Sequence, residues 1–393
     1  MILALKSVKG ALPMGKNESS EIKRTQIHEA VKLRLWGMSA GRCEICNKLL
    51  YLDSRYGDDA NFAEKAHIHA VGKTGPRHVD DMTQDEINNI DNLMLLCAEH
   101  HHLIDTKPEN YPSDFLIAQK KNHEDRIRRL TEIQDSDSCK MVTFFSNIDN
   151  VDVFNTVSVL RRATVKCGLY PKQDDPIELH NGSVTKYIPS KDIIQLQASE
   201  LENQVKQYFG SIVKKEDVVA LFALAPQPLL FKLGYLLCDQ LNVRVFQCHR
   251  EGDKWAWPED QSTVDFQIHQ SRAESETMVA LVIDLSAEIV DQRIENTLGP
   301  KCSIYHLTIP EPNRAFVKNL QIQDSFVHTF RLAIERIKND NPKAKEICLF
   351  PAMPASLAVR AGMDIMPKVD LPVKIYDQLS QKNSFEETIT IGG

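Results

Sequence analysis

Residues 95–105, LLCAEHHHLID, place one cysteine, three consecutive histidines and an aspartate within eleven positions. Successive side chains on a helix point about 100° apart, so three adjacent imidazoles cannot serve one ion. The run must be divided between sites. Cys43-Glu-Ile-Cys46 and Cys97-Ala-Glu-His100 are two short-spaced ligand pairs, the arrangement from which two turns build a four-coordinate structural zinc site. The alternative is a set of buried, metal-free thiols. This assigns His100 to structure. His101 and Asp105 are four residues apart, so on a helix they share a face and can chelate a hard divalent ion. His102 is left without a role.

These residues need elements to position them, and the chain has ample material. It has 393 residues, 42% hydrophobic and 26% charged, enough for two or three domains. No apolar run approaches a membrane span, and the first twenty residues lack a signal-peptide core. The chain reads as a cytoplasmic protein with no membrane partner. Nine cysteines in this length do not make a disulfide scaffold. The net charge of −7 argues against a generic nucleic-acid binder. Charge is spread evenly, with 20 Lys+Arg against 22 Asp+Glu in residues 1–140, so any DNA contact must come from local patches or from assembly of several chains. Candidate patches are Lys73 and Arg77, and Lys120, Lys121, Arg126, Arg128 and Arg129; solvated helix faces are the alternative.

The chain divides into a flexible arm (1–20), a Cys/His-rich domain (21–133), a polar linker (134–145) and a second domain (146–393). In the first, Ile27, Val31 and Leu35 recur at helical spacing, and Ser113 is placed to cap a helix that follows it. In the second, β-branched apolar runs such as VVALFALA and MVALVIDL alternate with helical stretches, which predicts βαβ units around a mainly parallel sheet.

Upstream of the histidine run lies EKAHIHAVGKTGPRH, with His67 in a predicted strand, and between them NNIDNLMLLC, where Asn92 starts the apolar run into Cys97. With the paired cysteine and histidine ligands, this segment resembles the HNH endonucleases over about residues 40–130. The resemblance implies a ββα-metal fold with His67 as general base, Asn92 holding the loop and His101 on the catalytic metal, which would be Mg²⁺ or alternatively Mn²⁺ or Ni²⁺. Phosphodiester hydrolysis asks for such a set: a base of near-neutral pKa for the attacking water and a cation for the developing charge. One departure matters. Many HNH enzymes carry a metal-binding Asp or His directly before the base, where this chain has Ala66; His69, two residues on along a strand, is a candidate replacement, with packing or DNA contact as the alternatives.

The second half contains an internal repeat. LFALAPQPLLFKLG (221–234) aligns without a gap with LFPAMPASLAVRAG (349–362), identical at Leu221/Leu349, Phe222/Phe350, Pro226/Pro354, Leu229/Leu357 and Gly234/Gly362. A further strand follows each copy, at 241–247 and 371–377, so the repeats span about 217–248 and 345–377. Two Rossmann-like units would bring their strand-to-helix turns together, where helix N-termini suit anionic phosphates. No GxGxxG or P-loop is present. With its HREGDKWAWP segment, this half is similar to the SAVED domain, a relative of the CARF sensors that binds cyclic oligonucleotides. An HNH module followed by SAVED resembles the effector nucleases of the bacterial CBASS anti-phage systems.

That resemblance implies a homo-oligomer enlarged by binding a cyclic di- or trinucleotide, and degradation of double-stranded DNA once nuclease domains are brought together. The phosphates are expected at Pro226, Gln227 and Pro228 and, opposite them, Met353, Pro354, Ala355 and Ser356. Trp255, Lys301 and Tyr305 are candidates for stacking and phosphate pairing, core packing being the alternative for the two aromatics. The competing functions are a restriction or mobile-element HNH endonuclease whose second half reads DNA, and a non-catalytic zinc-binding module.

Overall fold

The computed structural model describes residues 26–53, 57–70, 72, 74–80, 82–146, 156–179, 190–209, 211–214, 217–237, 242–275, 277–379 and 385–392. The predicted arm at 1–20 and Lys73 lie outside the described residues. The chain forms two units, Met1–Glu132 and Ile133–Gly393.

In the first unit, α1 (Glu29–Met38) precedes a turn-rich segment, then β1 (Ala63–His67), a single turn α2 (Gln84–Ile87), β2 (Leu93–Cys97), α3 (Ala98–Thr106) and α4 (Ser113–Thr131). β1 and β2 pair antiparallel, Ala63 opposite Cys97 and His67 opposite Leu93. The LMLLC run of β2 is buried throughout. It is the centre of a small core with Leu35 of α1, Ile104 of α3 and Leu116 of α4. Position 113 opens α4 rather than capping it: Pro112 is the N-cap residue, its fixed φ suiting the extended backbone that enters a helix.

The second unit begins earlier than a linker at 134–145 allows. Residues Ser138–Phe145 form β3, a strand of an all-parallel sheet, because SCKMVTFF carries enough buried apolar surface to take a place beside β6. After it come α5 (Val157–Lys166), β4 (Tyr170–Pro171), β5 (Ile177–Leu179), α6 (Lys191–Tyr208), β6 (Val218–Leu224), α7 (Gln227–Leu236) and β7 (Asn242–Phe246). β3 pairs with β4, β5 and β6, and β6 with β7. The remaining elements are β8 (Gln267–Arg272), β9 (Val279–Asp284), α8 (Asp291–Leu298), β10 (Ser303–Thr308), α9 (Leu320–Asp340), β11 (Ile347–Ala352), α10 (Ala355–Asp364), β12 (Val373–Asp377) and β13 (Glu386–Ile391). They form a second sheet in the order β13-β12-β11-β9-β10-β8, with four parallel strands in the middle and an antiparallel strand at each edge.

Strand periodicity decides which side chains meet. Val219, Leu221 and Ala223 of β6 and Val279, Leu281 and Ile283 of β9 point into one shared core with α6, α7, α9 and α10. The alternate residues face outward into two separate clusters. Ala220 and Phe222 pack with Leu160 and Ala163 of α5, and Ala280 and Val282 pack with Ile294 of α8. Helices thus cover both faces of each sheet, which is why these strands read as continuous apolar runs.

Both copies of the internal repeat are strand, Pro-capped helix, strand: β6-α7-β7 with Pro226 as N-cap, and β11-α10-β12 with Pro354. Their helices cross at the two matched glycines. A Cβ added at Gly234 would lie 2.0 Å from the Val359 carbonyl oxygen, and one at Gly362 would lie 2.2 Å from that of Phe231. Each glycine of one repeat therefore makes room for the backbone of the other. Gly234→Ala or Gly362→Ala is expected to destabilise the second unit by about 1–3 kcal/mol or more through forced separation of α7 and α10. Gly37→Ala in α1, with nothing within 4 Å, should stabilise or be neutral. Chemical denaturation of the three variants checks this contrast.

Candidate functional site

The four expected ligands come together. Cys97 ends β2 and is also the N-cap of α3, so His100 falls one turn along the helix with its Nδ1 3.2 Å from Cys97 Sγ. Cys43 and Cys46 come from a tight turn after α1, closed by Cys43 N–H donating to Lys48 O and Asn47 N–H to Cys43 O. Asn47 takes φ +63° there, a conformation asparagine tolerates. Cys43 Sγ is 3.9 Å from His100 Nδ1, Cys46 Sγ is 4.0 Å from Cys97 Sγ, and all four donor atoms lie within 4.8 Å of one another. Tetrahedral zinc with Zn–S of ~2.3 Å places its ligand atoms roughly 3.5–3.8 Å apart, so the donor set fits that ion and could hold it.

The second constellation is on β1, the segment before β2, and α3. His67 ends β1, and its Nε2 is 3.3 Å from Asn88 Oδ1. Asn92 is 5% exposed and all its polar atoms are committed. Its Oδ1 accepts from His69 N–H at 2.8 Å, its Nδ2 donates to the carbonyls of His69 (3.1 Å) and Ile87 (2.9 Å), and its backbone carbonyl accepts from Ile68 N–H. This amide clamps the turn that leaves His67. On α3, His101 Nε2 lies 3.6 Å from Asp105 Oδ2, so the spacing of four does place them on one face. His102 is exposed.

Several expectations are corrected. β1 ends at His67, so the strand argument does not carry His69 onto the same face; its Nδ1 sits 3.0 Å from the Arg77 carbonyl and 3.5 Å from Ser113 Oγ. Ala66 is buried in the core opposite Met94, so the position that bears a ligand in many relatives here packs instead. The basic candidates divide between buried and exposed positions. Lys120 is buried against Glu124, and Arg126 reaches Asn47 and His123. Arg128 pairs with Asp125 and Glu132, and Arg129 donates to the Asp125 carbonyl. Arg77 spans the interior. Lys121 is exposed. Asn88 was not anticipated; the polar doublet Asn88-Asn89 three residues before Asn92 was its only signal.

In the second unit the two repeat turns touch. Gln227 Nε2 donates to the Met353 carbonyl at 2.7 Å, and Gln247, just after β7, accepts from Ser356 Oγ (2.6 Å) and Ser356 N–H (3.3 Å). Pro228, Pro354 and Ser356 are buried, and Pro226 and Gln227 partly exposed. Of the three outlying candidates, the two aromatics are packed in cores. Trp255 is 0% exposed, edge-on to Phe222 at 5.3 Å, because the outward faces of β6 and β7 need an apolar cover. Tyr305 is also 0% exposed, its hydroxyl donating to Asp340 and accepting from Asn341. Lys301 precedes β10, which runs parallel to β9 and so to β11; it lies at the amino edge of the sheet, whereas Pro354 and Ser356 follow the carboxyl end of β11.

A cavity of about 470 Å³ opens where β9 and β10 end and α8 begins. Buried His306 spans it, Nδ1 3.3 Å from Asp284 and Nε2 2.9 Å from Asp291, with His269 of β8 stacked on its ring at 5.0 Å. Burial disfavours the imidazolium, but hydrogen bonds and charge from Asp284 and Asp291 outweigh it and raise the pKa above the ordinary 6.5.

The first unit carries an antiparallel β1–β2 pair followed by α3, with a clamped histidine and a helix-borne His/Asp pair, and the second is a two-sheet α/β unit. The model of the HNH endonuclease family matches residues 43–107, and that of the "SMODS-associated and fused to various effectors sensor domain", SAVED, matches residues 201–391. The chain therefore joins an HNH endonuclease domain, whose chemistry is phosphodiester hydrolysis, to a SAVED sensor domain. No curated protein matches the sequence. Among solved structures, the Acinetobacter baumannii Cap4 SAVED/CARF-domain containing receptor is 13% identical with a TM-score of 0.40, covering 78% of this chain and 63% of that one. The same receptor with the cyclic trinucleotide 2'3'3'-cAAA is 12% identical with a TM-score of 0.43, covering 78% and 64%. The Moraxella osloensis Cap4 receptor is 12% identical with a TM-score of 0.35, covering 71% and 58%. The chain thus spans under two thirds of the length of these receptors. No helix among the described residues is long and apolar enough to cross a membrane.

Two outcomes are expected. Cys97→Ala should lose about one bound zinc per chain and destabilise the first unit; unchanged zinc by elemental analysis would remove the ion from this cluster. For His306, a folded pKa above the unfolded one contributes stability that is complete below about pH 6.5 and is lost as pH rises through the elevated value. With Asp284, Asp291, Glu288 and His269 facing it, the wild-type thermal midpoint should fall over that window more than that of His306→Gln.

Proposed function

We propose that this protein is a nuclease switched on by a cyclic oligonucleotide, degrading double-stranded DNA in bacterial anti-phage defence within the cytoplasm. The observation that carries the reading is the Asn92 clamp on the turn after His67, which holds a histidine at a strand end in the manner an HNH base requires. The match of SAVED to the second half supports the regulatory part.

In this reading, His67 takes a proton from the attacking water. Asn88, 3.3 Å from His67 Nε2, and Asn92 keep the ring oriented. His101 and Asp105 hold a divalent ion, Mg²⁺ in the simplest case. When bound, that ion stabilises charge on the phosphate and the leaving oxygen. Cys43, Cys46, Cys97 and His100 carry structural zinc that secures a small core, and residues 21–133 act as the nuclease domain. In the sensor, the two Rossmann-like repeats offer the phosphates the turn around Gln227, with Pro226 and Pro228, and its partner around Ser356, with Pro354. Gln247 occupies the Ser356 amide, so phosphate binding at that amide would compete with Gln247. With a net charge of −7, one chain holds DNA weakly, and ligand-driven assembly of several chains supplies what one lacks.

The test is plasmid cleavage by the full chain with Mg²⁺, with and without a panel of cyclic di- and trinucleotides. Cutting is expected only with an activating nucleotide, and His67→Ala should lose at least about 10²-fold while retaining zinc. Constitutive, sequence-dependent cutting would instead favour a DNA-reading second half, and no cutting under any condition a non-catalytic zinc module.

A further inference from the structure

Arg77 lies in the loop after β1, in GPRH, with φ +55°, an uncommon backbone conformation for a side-chain-bearing residue and one sustained only where the surroundings demand it. Its side chain is 6% exposed, so it is unavailable to a DNA phosphate at the surface. Instead it threads the interior. Nε donates to the Ile68 carbonyl at 2.8 Å, and Nη1 donates to the carbonyls of Ile104 (2.6 Å) and Tyr111 (3.4 Å). Ile68 directly follows His67, and Ile104 lies between His101 and Asp105. One guanidinium therefore joins the strand carrying the base to the helix carrying the His/Asp pair.

The remaining nitrogen separates a functional role from a merely structural one. Nη2 is buried and makes no hydrogen bond; its nearest acidic neighbour is Asp105 Oδ1, at 3.7 Å. The other oxygen of the same carboxylate, Oδ2, faces His101 Nε2. Asp105 thus has one oxygen toward the ion-holding side and one toward an unsatisfied buried donor. Carboxylates that ligate metals are themselves commonly held by such an outer partner, which fixes the orientation of the ligating oxygen. A lysine could not substitute, because its donors radiate from one atom, whereas the fork of Arg77 addresses three carbonyls and a carboxylate in different directions.

We propose that Arg77 is a positioning residue: it sets the base on β1 and the ion-holding pair on α3 at one fixed separation, and it is the outer partner of Asp105. This rests on the reading of His101 and Asp105 as the ion-holding pair.

The test uses the full chain and Mn²⁺ as the probe ion. Arg77→Lys that keeps its zinc and its wild-type thermal midpoint should bind Mn²⁺ roughly 10–100-fold more weakly by titration. Its kcat for activated cutting should fall in step at fixed Mn²⁺, recover at higher Mn²⁺, and leave KM for DNA unchanged. In an Asp105→Asn background, Arg77→Lys should cost far less Mn²⁺ affinity than it does alone, since Arg77 acts on the ion through Asp105. Unchanged Mn²⁺ affinity in the folded variant, or fully additive losses in the double variant, would overturn the proposal. If Arg77→Lys does not fold, the wild-type chain decides: Mg²⁺ should shift the ¹⁵N guanidinium resonances of Arg77, and no shift on saturation overturns the inference. Wild-type protein whose Mn²⁺ affinity is insensitive to Asp105→Asn would overturn the ion-holding pair itself and this proposal with it.

Discussion

Strands that end inside a protein leave main-chain N–H and C=O groups that water cannot reach, and each must find a partner or cost free energy comparable to a lost hydrogen bond. In both units the candidate site is built on the side chains that meet this demand. Past the end of β1 the partner is Asn92, with Arg77 behind it. Past β7 and β11 the partners are Gln247 and Gln227. Amides and guanidinium suit the task because each offers several directional bonds from one rigid plane. Because they are rigid, they also fix where the neighbouring functional group points.

The second constraint is close approach. Helices carrying ordinary side chains pack about 8–10 Å apart, but α7 and α10 meet backbone to backbone at Gly234 and Gly362. That contact draws the two sheets onto one core and presses the two strand-to-helix turns together. In such an arrangement a ligand at either turn must disturb the other, because Gln227 belongs to one repeat and the Met353 carbonyl it holds belongs to the other.

Electrostatics follow from the same economy. Among the described basic residues of the first unit, Lys120 is held by Glu124 and Arg77 by buried carbonyls, while Arg126 and Arg128 bond Asn47 and Asp125 at the surface. With a net charge of −7, the chain has little surplus to offer a polyanion.

What the sequence by itself determined is whatever depends on residue type at short range. Cys43/Cys46 and Cys97/His100 are legible because metal ligands need fixed local spacing, and His101/Asp105 because one helical turn brings them to one face. The paired glycines and prolines of the two repeats are legible because they punctuate each strand–turn–helix unit in the same way. What only the tertiary structure decided is which polar and aromatic side chains face a ligand and which are consumed inside. Trp255 and Tyr305 have the chemistry to stack a base, yet the outer face of β6 and the shared core between the sheets claim them. Arg77 has the chemistry to hold a phosphate, yet carbonyls at residues 68, 104 and 111 surround it. Lys301 lies at the amino edge of its sheet, away from the turn after β11, because parallel strands place all carboxyl ends together. Burial and strand direction are set by contacts between residues far apart in the chain, and no local pattern encodes them.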